Sequence, residues 1–121
     1  MREIKFRAWD KEEELMLNDV SLQNETWDMM NELFGNEDRL SFMQYTGLKD
    51  KNGVEIYEGD ILFHPLQGRR KVFYPYSETV ASYGLRDIDN GFGSTLQDSH
   101  AIWEVIGNIY ENKELLEREA E

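Results

Sequence analysis

Between Gln44 and Phe63 the chain sets Gly47, the pair Asn52-Gly53 and Gly59 at short intervals, so the backbone must turn before any regular element can run far. Glycine reaches the positive φ angles that sharp turns need, and Asn-Gly suits a tight hairpin. A long helix is excluded from this block. What remains is a meander of short strands, with Glu58-Gly59-Asp60 forming a turn in which the Asp60 carboxylate accepts backbone N–H groups.

Alternation of apolar and polar residues extends the β reading to both sides. Ile4, Phe6 and Ala8 alternate with Lys5, Arg7 and Trp9, Asp10-Lys11-Glu12 reads as a turn, and a second strand from Leu15 to Leu22 completes a hairpin. Further strands are expected over residues 39–46, 70–76, 78–83 and 101–106, with Pro75 marking an edge and Gly107 allowing a bend. The Asp, Gly, Ser and Asn content of residues 87–99 reads as loop.

Two short helices interrupt the pattern. Trp27, Met30 and Phe34 share one helical face, with Asn24 as cap and Gly35 as stop, and Asn112 caps a second helix over residues 113–118. The expected class is mainly β, a β-rich α+β chain: a compact antiparallel sheet or small barrel, one short inserted helix near residues 24–34, and a short C-terminal helix. A single domain over residues 1–121 is expected, with 117–121 an acidic tail that frays because carboxylates at a helix C-terminus oppose its dipole.

Net charge is −12, unevenly spread: residues 1–38 carry 4 basic and 11 acidic groups, residues 39–86 carry 7 and 5, and residues 87–121 carry 2 and 9. Such a surface repels phosphates and anionic lipids, which disfavours direct nucleic-acid binding and a membrane partner. No apolar run is long enough to span a bilayer and no secretory leader is visible, so a bacterial cytosolic location is expected. With no cysteine there is no disulfide, thiolate nucleophile or Cys-based zinc site.

Few constellations carry chemistry. Glu55, Glu58 and Asp60 bracket Gly59 and offer oxygen ligands for a hard cation, although turn formation explains them as well. Asp87-Ile88-Asp89-Asn90-Gly91 opens like a calcium loop, but Phe92 and Asp98 stand where such a loop needs glycine and a bidentate glutamate. His64 and His100 have no metal-ligand spacing, and Asp98-Ser99-His100 is too contiguous for a hydrolytic triad if it lies in a strand. Gly91-Phe92-Gly93 lacks the remaining parts of a phosphate loop. No catalytic residue, metal site or cofactor is assigned.

Arg69-Arg70-Lys71, followed by Phe73, Tyr74 and Tyr76, is the one basic and aromatic run. It suits either a contact surface or a sheet edge whose charges block strand pairing. Arg69, Arg70, Lys71, Phe73 and Tyr74 are the candidate contact patch, and Gly47, Asn52, Gly53, Gly59, Asp60 and Gly107 are the candidate turn residues.

Three blocks resemble the YopX family: Arg2-Glu3-Ile4-Lys5-Phe6-Arg7-Ala8-Trp9-Asp10; Gln44-Tyr45-Thr46-Gly47-Leu48-Lys49-Asp50 through Tyr57-Glu58-Gly59-Asp60-Ile61; and Val105-Ile106-Gly107-Asn108-Ile109-Tyr110-Glu111-Asn112 with Glu114-Leu115-Leu116. Lys113 stands where the family pattern usually has proline. Residues 20–38 and 64–99 match no block. The resemblance implies a β-rich fold, a phage or prophage setting and an undetermined activity, with no catalytic residue to carry over.

The function expected from these observations is an accessory protein that binds a protein partner or itself, since a slightly basic middle on one copy complements acidic ends on another. An acidic mimic of DNA that occupies a host DNA-binding protein is the alternative. A small metal-dependent or hydrolytic enzyme is a third reading.

Overall fold

The computed structural model describes residues 5–20, 40–74, 82–89, 91, 93–97 and 99–117. The expected helix near 24–34, the expected strand residues 75–81 and the tail 118–121 lie outside them. Among the described residues there are nine strands: β1 (Phe6–Asp10), β2 (Leu15–Val20), β3 (Leu40–Lys49), β4 (Glu55–Tyr57), β5 (Asp60–His64), β6 (Gly68–Phe73), β7 (Gly84–Asp87), β8 (Gly93–Thr95) and β9 (Glu104–Asn108). They form two sheets, ordered β2-β1-β3-β4 and β8-β7-β6-β5-β9, so the mainly β class holds, with β8 and β9 as the outermost strands of the second sheet among the described residues.

The chain divides into two compact units, Met1–Tyr45 and Thr46–Glu121. In the first, β1 pairs antiparallel with β2 and with β3, opposing Ala8 to Leu17 on one side and to Phe42 on the other. Ala8 is fully buried beneath Phe6, Leu17 and Leu40, where a larger side chain would not fit. The expected first hairpin is therefore present. Asp10 shapes its turn, because Oδ1 accepts the N–H groups of Glu12 and Glu13 at 3.0 and 3.2 Å.

In the second unit Ile56, Leu62, Val72, Tyr83, Leu85, Leu96 and Trp103 form one apolar cluster, with Leu48 and Val105 against it. Strand alternation supplies it: Val72 faces Leu85 across β6 and β7, while Leu62 of β5 lies opposite Val105 of β9. A bulge between Ile61 and Leu62 lets β9 keep both Gly107 and Val105 in register with β5.

Asp50 ties this unit together. It is 5% exposed, its Oδ1 accepts the N–H groups of Asn52 and Val54 at 2.8 and 2.9 Å, and its Oδ2 accepts that of Val105 at 2.9 Å. Gly53 N–H donates to the Asp50 carbonyl, and Gly53 has φ 82°. Only the glycine of the Asn52-Gly53 pair is left-handed among these residues, so the turn is not the two-residue hairpin expected. It is a four-residue turn closed by a glycine, because the Asp50 side chain already occupies the Asn52 N–H.

Other boundaries also shift. Residues 82–83 precede β7 rather than ending a strand, and β8 forms inside the segment expected to be loop, by pairing Leu85 with Ser94. The strand expected over 101–106 starts at Glu104, because His100–Ile102 make a 3-10 turn in which Trp103 N–H donates to the His100 carbonyl. Gly107 is not a bend: it lies within β9, and a Cβ there would stand 2.5 Å from Asn112 Oδ1 and 2.9 Å from Leu115 Cδ1. The C-terminal helix is a 3-10 helix of four residues, Lys113–Leu116. Asn112 does not cap it through its side chain, since Oδ1 accepts the Asn108 N–H at 3.2 Å instead.

Asp50→Ala leaves three backbone N–H groups without their acceptor and is expected to cost about 3 kcal/mol or more in urea denaturation, with Asp50→Asn milder because one oxygen remains. Gly107→Ala is expected to cost about 1–3 kcal/mol in the same measurement, because Asn112 and Leu115 must be pushed off β9.

Candidate interaction face

The period of β6 splits the basic run between the two faces of the second sheet. Arg70 points with Val72 toward the core side: its Nη1 donates to Ser94 Oγ at 2.8 Å, its guanidinium lies 5.3 Å from the Trp103 ring centroid, and Nε is 3.9 Å from Asp87 Oδ2. The Trp103 indole N–H donates in turn to Ser99 Oγ at 3.1 Å. Arg70 is thus a tie within the fold rather than a surface charge.

Arg69, Lys71 and Phe73 occupy the opposite face. Arg69 stands opposite Phe63 and is committed to the chain's own end, donating from Nη1 to the Leu115 carbonyl at 2.8 Å and from Nη2 to the Glu117 carbonyl at 2.7 Å. These bonds take up carbonyls that a longer C-terminal helix would have used, which with the turned-back Asn112 accounts for its shortness. The 3-10 segment covers part of this face, with Leu115 above Gly107 and with Ile61, opposite Gly107, fully buried.

Lys71 lies directly opposite Arg86 of β7. Like charges at opposed positions on a sheet repel, so this pair weakens the fold locally. Arg86 turns its guanidinium to 4.8 Å from the Phe73 ring centroid, which recovers part of the loss through the ring's negative face. Among the described residues no carboxylate is paired with Lys71 or Arg86. Glu104 stands on β9 across Phe63 from Arg69, at the other side of the face. Tyr74 is half exposed and leans on Tyr83, their ring centroids 5.0 Å apart. Of the candidate patch, therefore, Lys71 and Phe73 present themselves together, with Tyr74 following at the end of β6. Arg86 completes the group, and sequence reasoning missed it because the register of β6 against β7 is not legible from composition.

The remaining candidates resolve into structure. Asp60 is 1% exposed and accepts the Tyr57 N–H at 2.8 Å, while Gly59 has φ 83° and bridges by N–H to the Val72 carbonyl and by carbonyl to the Ile109 N–H. Gly47 lies within β3 rather than in a turn between strands, with φ 84° beside Thr46, whose hydroxyl donates to the Ile56 carbonyl and accepts the Leu48 N–H. Asp87 Oδ1 accepts the Asp89 N–H at 2.8 Å, making a local turn. Among the described residues no group of three or more His, Asp or Glu side chains is placed to hold a metal ion.

Ser99 and His100 lie at the start of a 3-10 turn rather than in a strand. Ser99 Oγ donates to the Thr95 carbonyl, and His100 Nδ1 is 2.6 Å from the Lys49 carbonyl, so that nitrogen carries the proton. His64 Nδ1 has the reverse role and accepts the Leu66 N–H at 3.1 Å, holding a hairpin tip at which Leu66 is 90% exposed. No helix among the described residues is long and apolar enough to cross a membrane.

A family model described as YopX protein matches residues 5–117, nearly the whole chain. The chain belongs to the YopX family. A crystal structure of the protein EF1440 from Enterococcus faecalis is similar to this YopX chain over 97% of its length and 100% of the other's, with a TM-score of 0.66 and 29% identity. No curated protein matches it. Within this YopX chain the three blocks of resemblance hold Asp10, Thr46, Asp50, Asp60, Asn108 and Asn112, all of which fasten backbone N–H groups, whereas Lys71, Phe73 and Arg86 fall between blocks.

Arg69→Ala is expected to free the last turn: amide exchange at residues 112–117 should rise sharply, with a loss of about 1–3 kcal/mol in global stability. Arg69→Lys, with a single ammonium in place of a fork, should restore this only in part.

Proposed function

We propose that this YopX chain is a non-enzymatic accessory protein, in the phage or prophage setting implied by the family resemblance, that docks a protein partner through the β6–β7 face. The observation that carries this reading is the direct opposition of Lys71 and Arg86 on an outward face of an otherwise acidic chain. A repulsive cross-strand pair is relieved when carboxylates settle between the two cations, and Phe73 beside them adds apolar area to the contact.

The small extent of the patch favours protein over nucleic acid. A polynucleotide presents a continuous run of phosphates and would extend past Lys71 and Arg86 onto a surface dominated by carboxylates. A few acidic side chains on a folded partner touch only the patch. Mimicry of DNA needs carboxylates ranged outward along one face, yet Asp10, Asp50 and Asp60 turn inward onto backbone N–H groups.

Fluorescence anisotropy with a labelled oligo-glutamate peptide and a labelled oligo-thymidylate tests the reading. The peptide is expected to bind, more weakly as salt rises, and Lys71→Glu with Arg86→Glu should abolish binding while leaving the circular dichroism spectrum unchanged. Peptide binding that survives the double charge reversal, or tighter binding of the oligonucleotide, would overturn it.

A further inference from the structure

The turn that Asp50 closes holds an Asn-Gly pair in the open: Lys51, Asn52, Gly53 and Val54 are all exposed. Asparagine before glycine is prone to a reaction that other pairs resist, because the peptide nitrogen that follows can reach the side-chain amide carbon when no Cβ stands in the way. Gly53 has open space where a Cβ would be.

The Asn52 amide also has a place in the fold. Its Nδ2 donates to Glu104 Oε2 at 3.4 Å, beside the bond from Lys51 N–H to the Trp103 carbonyl at 3.0 Å and that from Val105 N–H to Asp50 Oδ2 at 2.9 Å. These contacts join the turn to the start of β9.

We infer that Asn52 is a site of spontaneous deamidation, and that its conversion to aspartate or isoaspartate releases the Asp50 turn from β9. The Gly53 nitrogen, giving its proton to solvent, attacks the Asn52 amide carbon; a Cγ–N bond forms, the Cγ–Nδ2 bond breaks, and Nδ2 leaves as ammonia with a proton returned from solvent. Water then opens the cyclic imide at one carbonyl or the other. The net change is a water consumed and an ammonia released, with nothing oxidised or reduced. In the closed turn Gly53 N–H donates to the Asp50 carbonyl at 3.0 Å, so attack waits for that bond to open and the folded chain converts more slowly than a free peptide.

Either product undoes contacts. Aspartate sets a carboxylate where the amide faced Glu104, and like charges there repel. Isoaspartate carries the main chain through the former side chain and adds a methylene between the N–H groups of residues 52 and 54. Both of these donate to Asp50 Oδ1, at 2.8 and 2.9 Å, and the spacing that lets both reach it is lost.

The whole protein, incubated in warm, mildly alkaline buffer beside a synthetic peptide of residues 48–57, tests this. Digestion and mass spectrometry are expected to find the mass gain of an amide turned acid at Asn52, resolved from the second Asn-Gly pair, Asn90-Gly91. Amide exchange at Lys51 and Val105 should be about tenfold faster in the converted fraction. Asn52→Asp should show that acceleration from the outset, and Glu104→Gln added to it should recover most of the protection. Asn52→Gln, whose longer side chain closes the ring poorly, should stay unmodified and exchange slowly. A folded chain still intact at Asn52 when the peptide is fully converted overturns the site. Conversion, by ageing or by Asn52→Asp, that leaves exchange at Lys51 and Val105 unchanged overturns the release.

Discussion

Side-chain oxygens that accept backbone N–H groups at the turns are the interaction on which the rest of this structure depends. With strands as short as three residues, much of the backbone lies between strands, where no neighbour supplies a ladder and every buried N–H needs another acceptor. Asp10, Asp50, Asp60, Asp87 and Asn108 supply it, each within a few residues of the donor. Asp50 differs from the others because its second oxygen reaches β9, making one carboxylate both a turn closure and a strand anchor.

This division of labour changes the meaning of the net charge. Several aspartates are structural acceptors whose charge is absorbed by peptide dipoles, whereas the glutamates at positions 12–14 are exposed at the turn between β1 and β2. The basic side is divided likewise. Arg69 and Arg70 are spent on carbonyls, a serine and a tryptophan ring, which leaves Lys71 of this run across from Arg86 on the face opposite Arg70.

The mainly β class, the first hairpin and the inward role of Asp60 were legible because alternation and turn chemistry act locally. Other features depended on distant residues. Asn52 looked like half of a tight turn, but Asp50 claimed its N–H; Gly107 looked like a bend, but the empty space over it is filled by Asn112 and Leu115. The segment holding β8 is rich in turn residues and becomes a strand only because β7 offers it an edge. The basic run read as one patch, and strand period alone separates Arg70 from Lys71. Arg86 could be found only once β6 and β7 were aligned.

The reach of Asp50 also bears on the order in which the second unit can assemble. Two of its partners lie two and four residues ahead, so closing that turn requires little loss of chain entropy, while Val105 lies 55 residues away. Arg69 likewise waits for carbonyls 46 and 48 residues downstream. One side chain thus couples a contact that forms almost at once to one that must await nearly the whole unit, and adds to the contact order that the pairing of β5 with β9 already brings.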